Sequence, residues 1–282
     1  ETTPPNWSIV GRWIVLAAVP SGLMLSTSLH LTTDIVAMPL LWVLPLGLYL
    51  LSFSAAFATD RRLADFCKRF APFVILMAAC SAFMDSTRFP FSFALLTLVN
   101  LFVVSVTLHS EMFARRPHPE HLTRFYLAMS VGGVIGGIFC AILAPLIFDW
   151  TYEHPILIIA AALLLTPRAI FESSQKLLEG PNSRAVAAAI ALAALLAAVA
   201  AGGMLSDHTP SYVQTVSIVV IIGAAVAVLG KRWLFAFCLA CLMLTLNGWQ
   251  KIGLSTQPGM MTRSYFGVYS VRNNGEDTRF LV

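Results

Sequence analysis

Between Trp13 and Thr59 the chain carries one formal charge, Asp34, in a stretch that is otherwise almost wholly apolar. Such stretches recur. Charge is absent from Phe70–Met84, Phe89–Ser110, Phe125–Phe148, Pro155–Pro167, Ala185–Ser206, His208–Gly230 and Trp233–Gln250. Several approach the roughly 20 residues a helix needs to cross about 30 Å of hydrocarbon. In lipid only helices and closed barrels satisfy their own backbone, and these runs lack the alternation of barrel strands. The expected fold class is therefore an all-α polytopic membrane protein of eight or nine transmembrane helices, with the lipid bilayer as its first partner. Only 11% of the residues are charged and 58% are hydrophobic, against about 25% charged in soluble domains.

The apolar runs place helices near 11–30, 36–57, 70–86, 90–110, 124–147, 154–167, 185–204, 211–229 and 233–249, of which 154–167 is short enough for a half-span. Basic residues set the orientation. Arg61, Arg62, Lys68 and Arg69 share one connection; Arg115, Arg116 and Arg124 the next but one; then come Arg168, Lys176 and Arg184, and finally Lys231 and Arg232. Basic connections thus alternate with connections holding Arg88 alone, no basic residue, or the acidic stretch Asp149–Glu153. By the positive-inside rule the N-terminus is cytoplasmic, and nine spans put the C-terminal tail outside. The net charge of +4 is spent at helix ends and is no nucleic-acid signature.

Residues 1–10 read as a linker, 11–250 as the helical domain, and 251–282 as a linker followed by the first β-hairpin of a soluble domain cut short. The hairpin signal is the alternation over Ser264–Arg272, the turn residues Asn273-Asn274-Gly275, and a second run Thr278–Val282. Ile170, Phe171, Leu177 and Leu178 share a helical face and predict a short amphipathic helix on the cytoplasmic interface.

Asp34, in the phrase His30-Leu-Thr-Thr-Asp34, has three readings: a solvated residue in a non-cytoplasmic loop, a cap of the second helix, or a cation or proton site with His30 one turn back. His109 and Glu111 sit at a helix end beside His118 and His121, where a solvated cytoplasmic loop outweighs metal binding. Asp34, His30, Glu111 and His109 are the candidate substrate or cation residues. Gly132, Gly133, Gly136 and Gly137 form two overlapping G-x-x-x-G patterns, which let helix backbones approach closely. Cys238 and Cys241 form a C-x-x-C inside an apolar run and read as small filler. No nucleotide loop, nucleophile triad or acid/base carboxylate pair is legible, so neither a catalytic residue nor a cofactor is assigned to this chain.

Several phrases together resemble the membrane region of bacterial proteins that fuse a transporter-like helical part to a spermidine-synthase-like domain. They are His30–Asp34 with Pro39-Leu-Leu-Trp-Val-Leu-Pro45-Leu-Gly-Leu-Tyr49, His109-Ser-Glu111, His121-Leu-Thr-Arg124-Phe-Tyr126 through Gly133, and Arg263-Ser-Tyr-Phe-Gly-Val-Tyr269. The resemblance implies that the Arg263 phrase opens the synthase-like domain. It also implies a parent aminopropyltransferase whose co-substrate is decarboxylated S-adenosylmethionine, a polyamine as a further partner, and the bacterial inner membrane as location. That family's glycines and catalytic aspartate have no counterpart in this sequence. Two other readings stand: a transporter of a small organic cation, and a purely structural scaffold. Asp60-Arg61-Arg62 is similar in part to the major-facilitator loop signature, but Ala56 and Leu63 stand where that signature has glycines.

Overall fold

The computed structural model describes residues 5–34, 42–84, 89–165, 178–202, 211–257, 259–264, 267–273 and 279–281. They are predominantly helical. Five helices are long and apolar enough to cross a membrane: Trp7–Thr32, Pro90–Ala114, Pro119–Ile147, Ser183–Ala201 and Arg232–Ser255. The chain divides into two compact units, one of Glu1–Val74, Ser86–Leu157 and Gln257–Val282, the other of Ile75–Asp85 and Ile158–Thr256.

In the first unit α1 (Trp7–Asp34) lies against α5 (Leu122–Ile138), and α2 (Val43–Phe57) lies against α4 (Pro90–Ala114). Both pairs run parallel. Along α1 and α5 the contacts climb together: Trp13 meets Phe125, Ile14 and Ala17 meet Gly132, Ala18 and Gly22 meet Gly136, and Gly22 meets Cys140. Along α2 and α4, Phe53 stacks on His109 and Phe57 on Phe113. Every residue from Val103 to Ser110 of α4 is buried. The first turns of α4 keep Phe91 and Leu95 exposed, so the enclosed part is its C-terminal half; a helix apolar on all sides suits a core or a membrane span.

The parallel pairs give this unit two distinct ends. At one, Trp13 Nε1 donates to the Arg115 carbonyl at 3.2 Å, the Arg61 and Arg116 guanidinium groups lie 5.6 and 4.1 Å from the centre of the Phe113 ring, and Glu111 pairs with Lys68. The other end holds the C-terminal turns of α1, the start of α7 (Glu153–Leu164) and a small antiparallel sheet. Its strands are β1 (Met261–Ser264), β2 (Gly267–Asn273) and β3 (Arg279–Leu281), with Arg263 opposite Val268 and Arg272 opposite Phe280.

α5 passes through a π-helical segment, Phe139–Leu143, into the short α6 (Ala144–Ile147). In the second unit, α8 (Ser183–Ala201), α9 (Ser211–Ala227) and α10 (Arg232–Met243) pack together, and a break at Leu244–Gly248 leads into α11 (Trp249–Ser255). Asn247 in that break has φ 72°, the one positive φ among described non-glycine residues.

The structure departs from the sequence expectations at three boundaries. α3 (Arg62–Ser81) begins well before the expected 70, so the connection holding Arg61, Arg62, Lys68 and Arg69 is mostly helix. Its charged residues are spaced so that Ala64, Cys67 and Ala71 share a buried face, which outweighs the charge count. The phrase His30–Asp34 lies in the last turn of α1, residues 35–41 and with them the start expected at 36 lie outside the described residues, and α2 is described from Val43. The hairpin gains a strand on its N-terminal side, β1, which pairs with β2. The amphipathic helix expected around Ile170–Leu178 falls almost wholly outside the described residues, as does the Asn274-Gly275 turn.

Candidate functional site

The glycine face comes first, because it fixes how close the two central helices lie. A Cβ on Gly132 would fall on the Ile14 carbonyl oxygen and 2.7 Å from Ala17 Cβ; one on Gly136 would fall on the Ala18 carbonyl oxygen and 2.9 Å from Gly22 N. A Cβ on Gly133 would meet nothing within 4 Å, and one on Gly137 only Leu25 at 3.9 Å. The two overlapping patterns are therefore unequal, and 132/136 is the pair that touches α1. The close approach also lets Ser21 Oγ donate to the Gly133 carbonyl at 2.9 Å.

This packing creates two buried polar centres in the first unit. In the first, α2 offers Tyr49, Ser52 and Phe53 to His109 of α4. Ser52 Oγ lies 2.9 Å from His109 Nδ1 and 2.6 Å from the Tyr49 carbonyl. The Phe53 ring stacks on the imidazole at 3.8 Å, and Tyr49 meets it edge-on at 5.6 Å. His109 is fully buried, and among the described residues its Nε2 has no hydrogen-bond partner. Ser105 Oγ, one turn back on α4, also lacks one. Glu111 stands apart from this centre: its carboxylate pairs with Arg115 and with Lys68, the latter at 3.3 Å. Two cations already neutralise it.

The second centre was not assembled from the sequence. Glu153, at the start of α7, and Arg263, in β1, form a bidentate pair at 2.6 and 2.9 Å, and Arg263 also donates to the Trp150 carbonyl at 3.1 Å. Their side chains are 1% and 5% exposed. The next residue, His154, lies with Nδ1 3.0 Å from Ser26 Oγ and stacks on His30 at 5.5 Å. A cavity of about 190 Å³ lies here, lined by Leu25 and Leu29 of α1, Cys140 and Ala141 of the π-helical segment, Pro145, Thr151 and the Glu153–Arg263 pair. π-Bulges often mark functional positions, and this one supplies a cavity wall. Glu153 and Arg263 are 110 residues apart, so spacing gives no hint of their pairing. The i, i+4 placement of Ser26 and His30 on α1 was the one available signal.

The helix end that carries Asp34 is described, but the Asp34 side chain lies outside the described residues. His30 belongs to the second centre, His109 to the first. His118 lies 3.9 Å from Glu120 on an exposed turn. Cys238 and Cys241 are buried free thiols. No group of three or more His, Cys, Asp or Glu side chains suited to a metal occurs among the described residues.

The two Ser–His pairs differ in what else each serine reaches. Ser52 lies closer to the Tyr49 carbonyl (2.6 Å) than to His109 Nδ1 (2.9 Å), and a hydroxyl that donates to a carbonyl is not activated by a base, whereas Ser26 lies 3.0 Å from His154 Nδ1 and 3.2 Å from the Leu23 carbonyl. Both centres offer hydrogen-bonding groups enclosed by apolar walls, uncharged in the first and including the Glu153–Arg263 ion pair in the second. Comparison with family models, with curated proteins and with solved structures finds no match.

Proposed function

We propose that this chain is the membrane-embedded helical domain of a spermidine-synthase-like protein, and that it anchors and orients the synthase-like part. The observation that carries this reading is the Glu153–Arg263 pair. Arg263 opens the phrase that resembles the start of the synthase-like domain, and it is tied by two short bonds to the helical unit. A strand held by a buried, bidentate ion pair is docked, not tethered. Five long apolar helices and an outward face rich in exposed Leu127, Val134 and Leu146 suit a bilayer.

In the same reading the membrane is the bacterial inner membrane, the N-terminus is cytoplasmic, and the implied domain uses decarboxylated S-adenosylmethionine. Transport of a small organic cation is the second reading. It finds Glu111 already occupied by Lys68 and Arg115, and gains support only from the unpaired Nε2 of His109.

The test uses the full-length parent. We expect it in the membrane fraction, with aminopropyl transfer that residues 1–282 alone do not show. Transfer by residues 1–282, or recovery of the parent in the soluble fraction, overturns the reading.

A further inference from the structure

The single proton of the Ser52 hydroxyl decides the state of His109. The Tyr49 carbonyl, 2.6 Å away, can only accept, so the hydroxyl donates to it. The contact at 2.9 Å to His109 Nδ1 then requires the ring nitrogen to donate. His109 is thereby assigned as the Nδ1–H tautomer, with a buried lone pair on Nε2 that has no partner among the described residues. Ser105, four residues back on the same helical face, is equally buried and lacks the usual bond to its own helix. An acceptor and a hydroxyl with a free proton are therefore set about one turn apart, beside the Phe53 and Tyr49 rings.

The missing partner must donate to one group and accept from the other. The ionisable neighbours are Tyr49 on α2, and Glu111 on α4 with its partners Arg115 and Lys68. α1, which also packs on α4, has no formal charge between Arg12 and Asp34. Among the described residues around His109 no carboxylate is left over for a cation, and an unpaired buried ammonium is strongly disfavoured.

We propose that His109 Nε2 and Ser105 Oγ form a binding subsite for the uncharged form of a small primary amine. The amine N–H donates to Nε2, and its lone pair accepts the Ser105 proton. An ammonium ion leaves one proton in the water outside before it enters, so the site itself consumes none. The proposal rests on the second reading, transport of a small organic cation, here a primary ammonium that enters as its free base, and not on the anchoring role.

The experiment uses the purified chain in lipid nanodiscs, ¹⁵N-labelled at histidine, with methylamine as the probe and tetramethylammonium as the control. His109→Phe identifies the His109 signals and removes the acceptor. We expect an Nδ1–H tautomer in the wild type and an Nε2 resonance that methylamine moves and tetramethylammonium leaves in place. At fixed total methylamine the apparent affinity rises about a hundredfold from about pH 7 to about pH 9, because the ammonium pKa lies near 10 and the free-base fraction grows tenfold per unit. Ser105→Ala weakens binding several-fold.

An Nε2–H tautomer, an equal response to tetramethylammonium, or affinity independent of pH each overturns the proposal. So does an Nε2 signal that methylamine never moves, which would make water its partner. If His109→Phe fails to fold, the tautomer, the pH series and Ser105→Ala still decide. None of these failures touches the anchoring role, which the parent's transferase activity tests separately.

Discussion

Alanine at Gly132 and alanine at Gly133 should move stability in opposite directions, although the residues are neighbours in one helix. In a helix interior, Gly→Ala gains up to about 1 kcal/mol from backbone entropy. At Gly133 nothing lies within 4 Å of the new Cβ, and the Ser21 bond goes to the Gly133 carbonyl, which alanine keeps. Gly133→Ala should therefore gain about 0.5–1 kcal/mol. At Gly132 the Cβ would sit on the Ile14 carbonyl oxygen and 2.7 Å from Ala17 Cβ. Comfortable carbon contacts are about 3.5–4.0 Å, so α1 must retreat by roughly 1 Å. The obstacle is backbone, which has no rotamer to yield. Overpacking of this kind costs about 1–3 kcal/mol, and the upper end minus the entropy gain leaves a loss of about 2.

The two variants should thus differ by about 3 kcal/mol, which at 2–4 °C per kcal/mol is roughly 6–12 °C in midpoint. Thermal unfolding of the detergent-solubilised chain, followed by loss of the monodisperse peak, reads the order directly. Gly136→Ala should fall with Gly132→Ala, since its Cβ meets the Ala18 carbonyl. Gly22→Ala should be milder, because its nearest neighbours are the mobile methyls of Leu157 at 3.0 and 3.1 Å. Equal midpoints for Gly132→Ala and Gly133→Ala, or the reverse order, would refute the packing of α1 on α5.

The Glu153–Arg263 pair should respond asymmetrically. Glu153→Gln or Arg263→Met alone should cost about 3–5 kcal/mol and expose the tail to trypsin, whereas Glu153→Met with Arg263→Met should recover most of the loss. Lys68→Met removes a partner of Glu111 that is one-third exposed, and the unfolding midpoint should register less than about 1 kcal/mol. Asn247→Ala should lose about 2 kcal/mol, the sum of a left-handed backbone and the 3.4 Å bond from Asn247 to the Phe83 carbonyl; Asn247→Gly should restore the backbone share. If Gly and Ala at 247 unfold alike, strain at that break is not what Asn247 relieves.

The helices were legible because long stretches without charge leave few alternatives, and their centres fall where the apolar runs do. Their ends were not. The first turns of α3 carry Arg62, Asp65, Lys68 and Arg69, and a rule that counts charges reads them as loop. The 3.6-residue spacing of Ala64, Cys67 and Ala71 is the better guide there. Gly132 and Gly133 differ by about 100° of helix rotation, and the overlapping pattern holds no information about which pair faces α1. His109 could be singled out as a polar residue in an apolar run. Its partner Ser52, 57 residues away, could not. The same holds for Glu153 and Arg263, which are ordinary loop charges until the fold brings them together.

That last contact bears on which side of the membrane the sheet occupies. The starts of α1 and α5, the ends of α2 and α4, and the first turns of α3 lie together with Arg61, Lys68, Arg115 and Arg116 at one end of the first unit. Glu153 follows α5 and α6 at the opposite end, and it holds Arg263 there. If the basic end is cytoplasmic, as the proposed orientation has it, the sheet begins outside. A synthase-like domain continuing from that sheet would then need its aminopropyl donor outside as well, or a polypeptide that crosses back. Both consequences are measurable. With a membrane-impermeant thiol reagent on intact cells, a cysteine at Gly259 should react and one at Arg62 should not. Reaction at position 62 with protection at 259 would invert the orientation and restore a cytoplasmic synthase domain without further crossings.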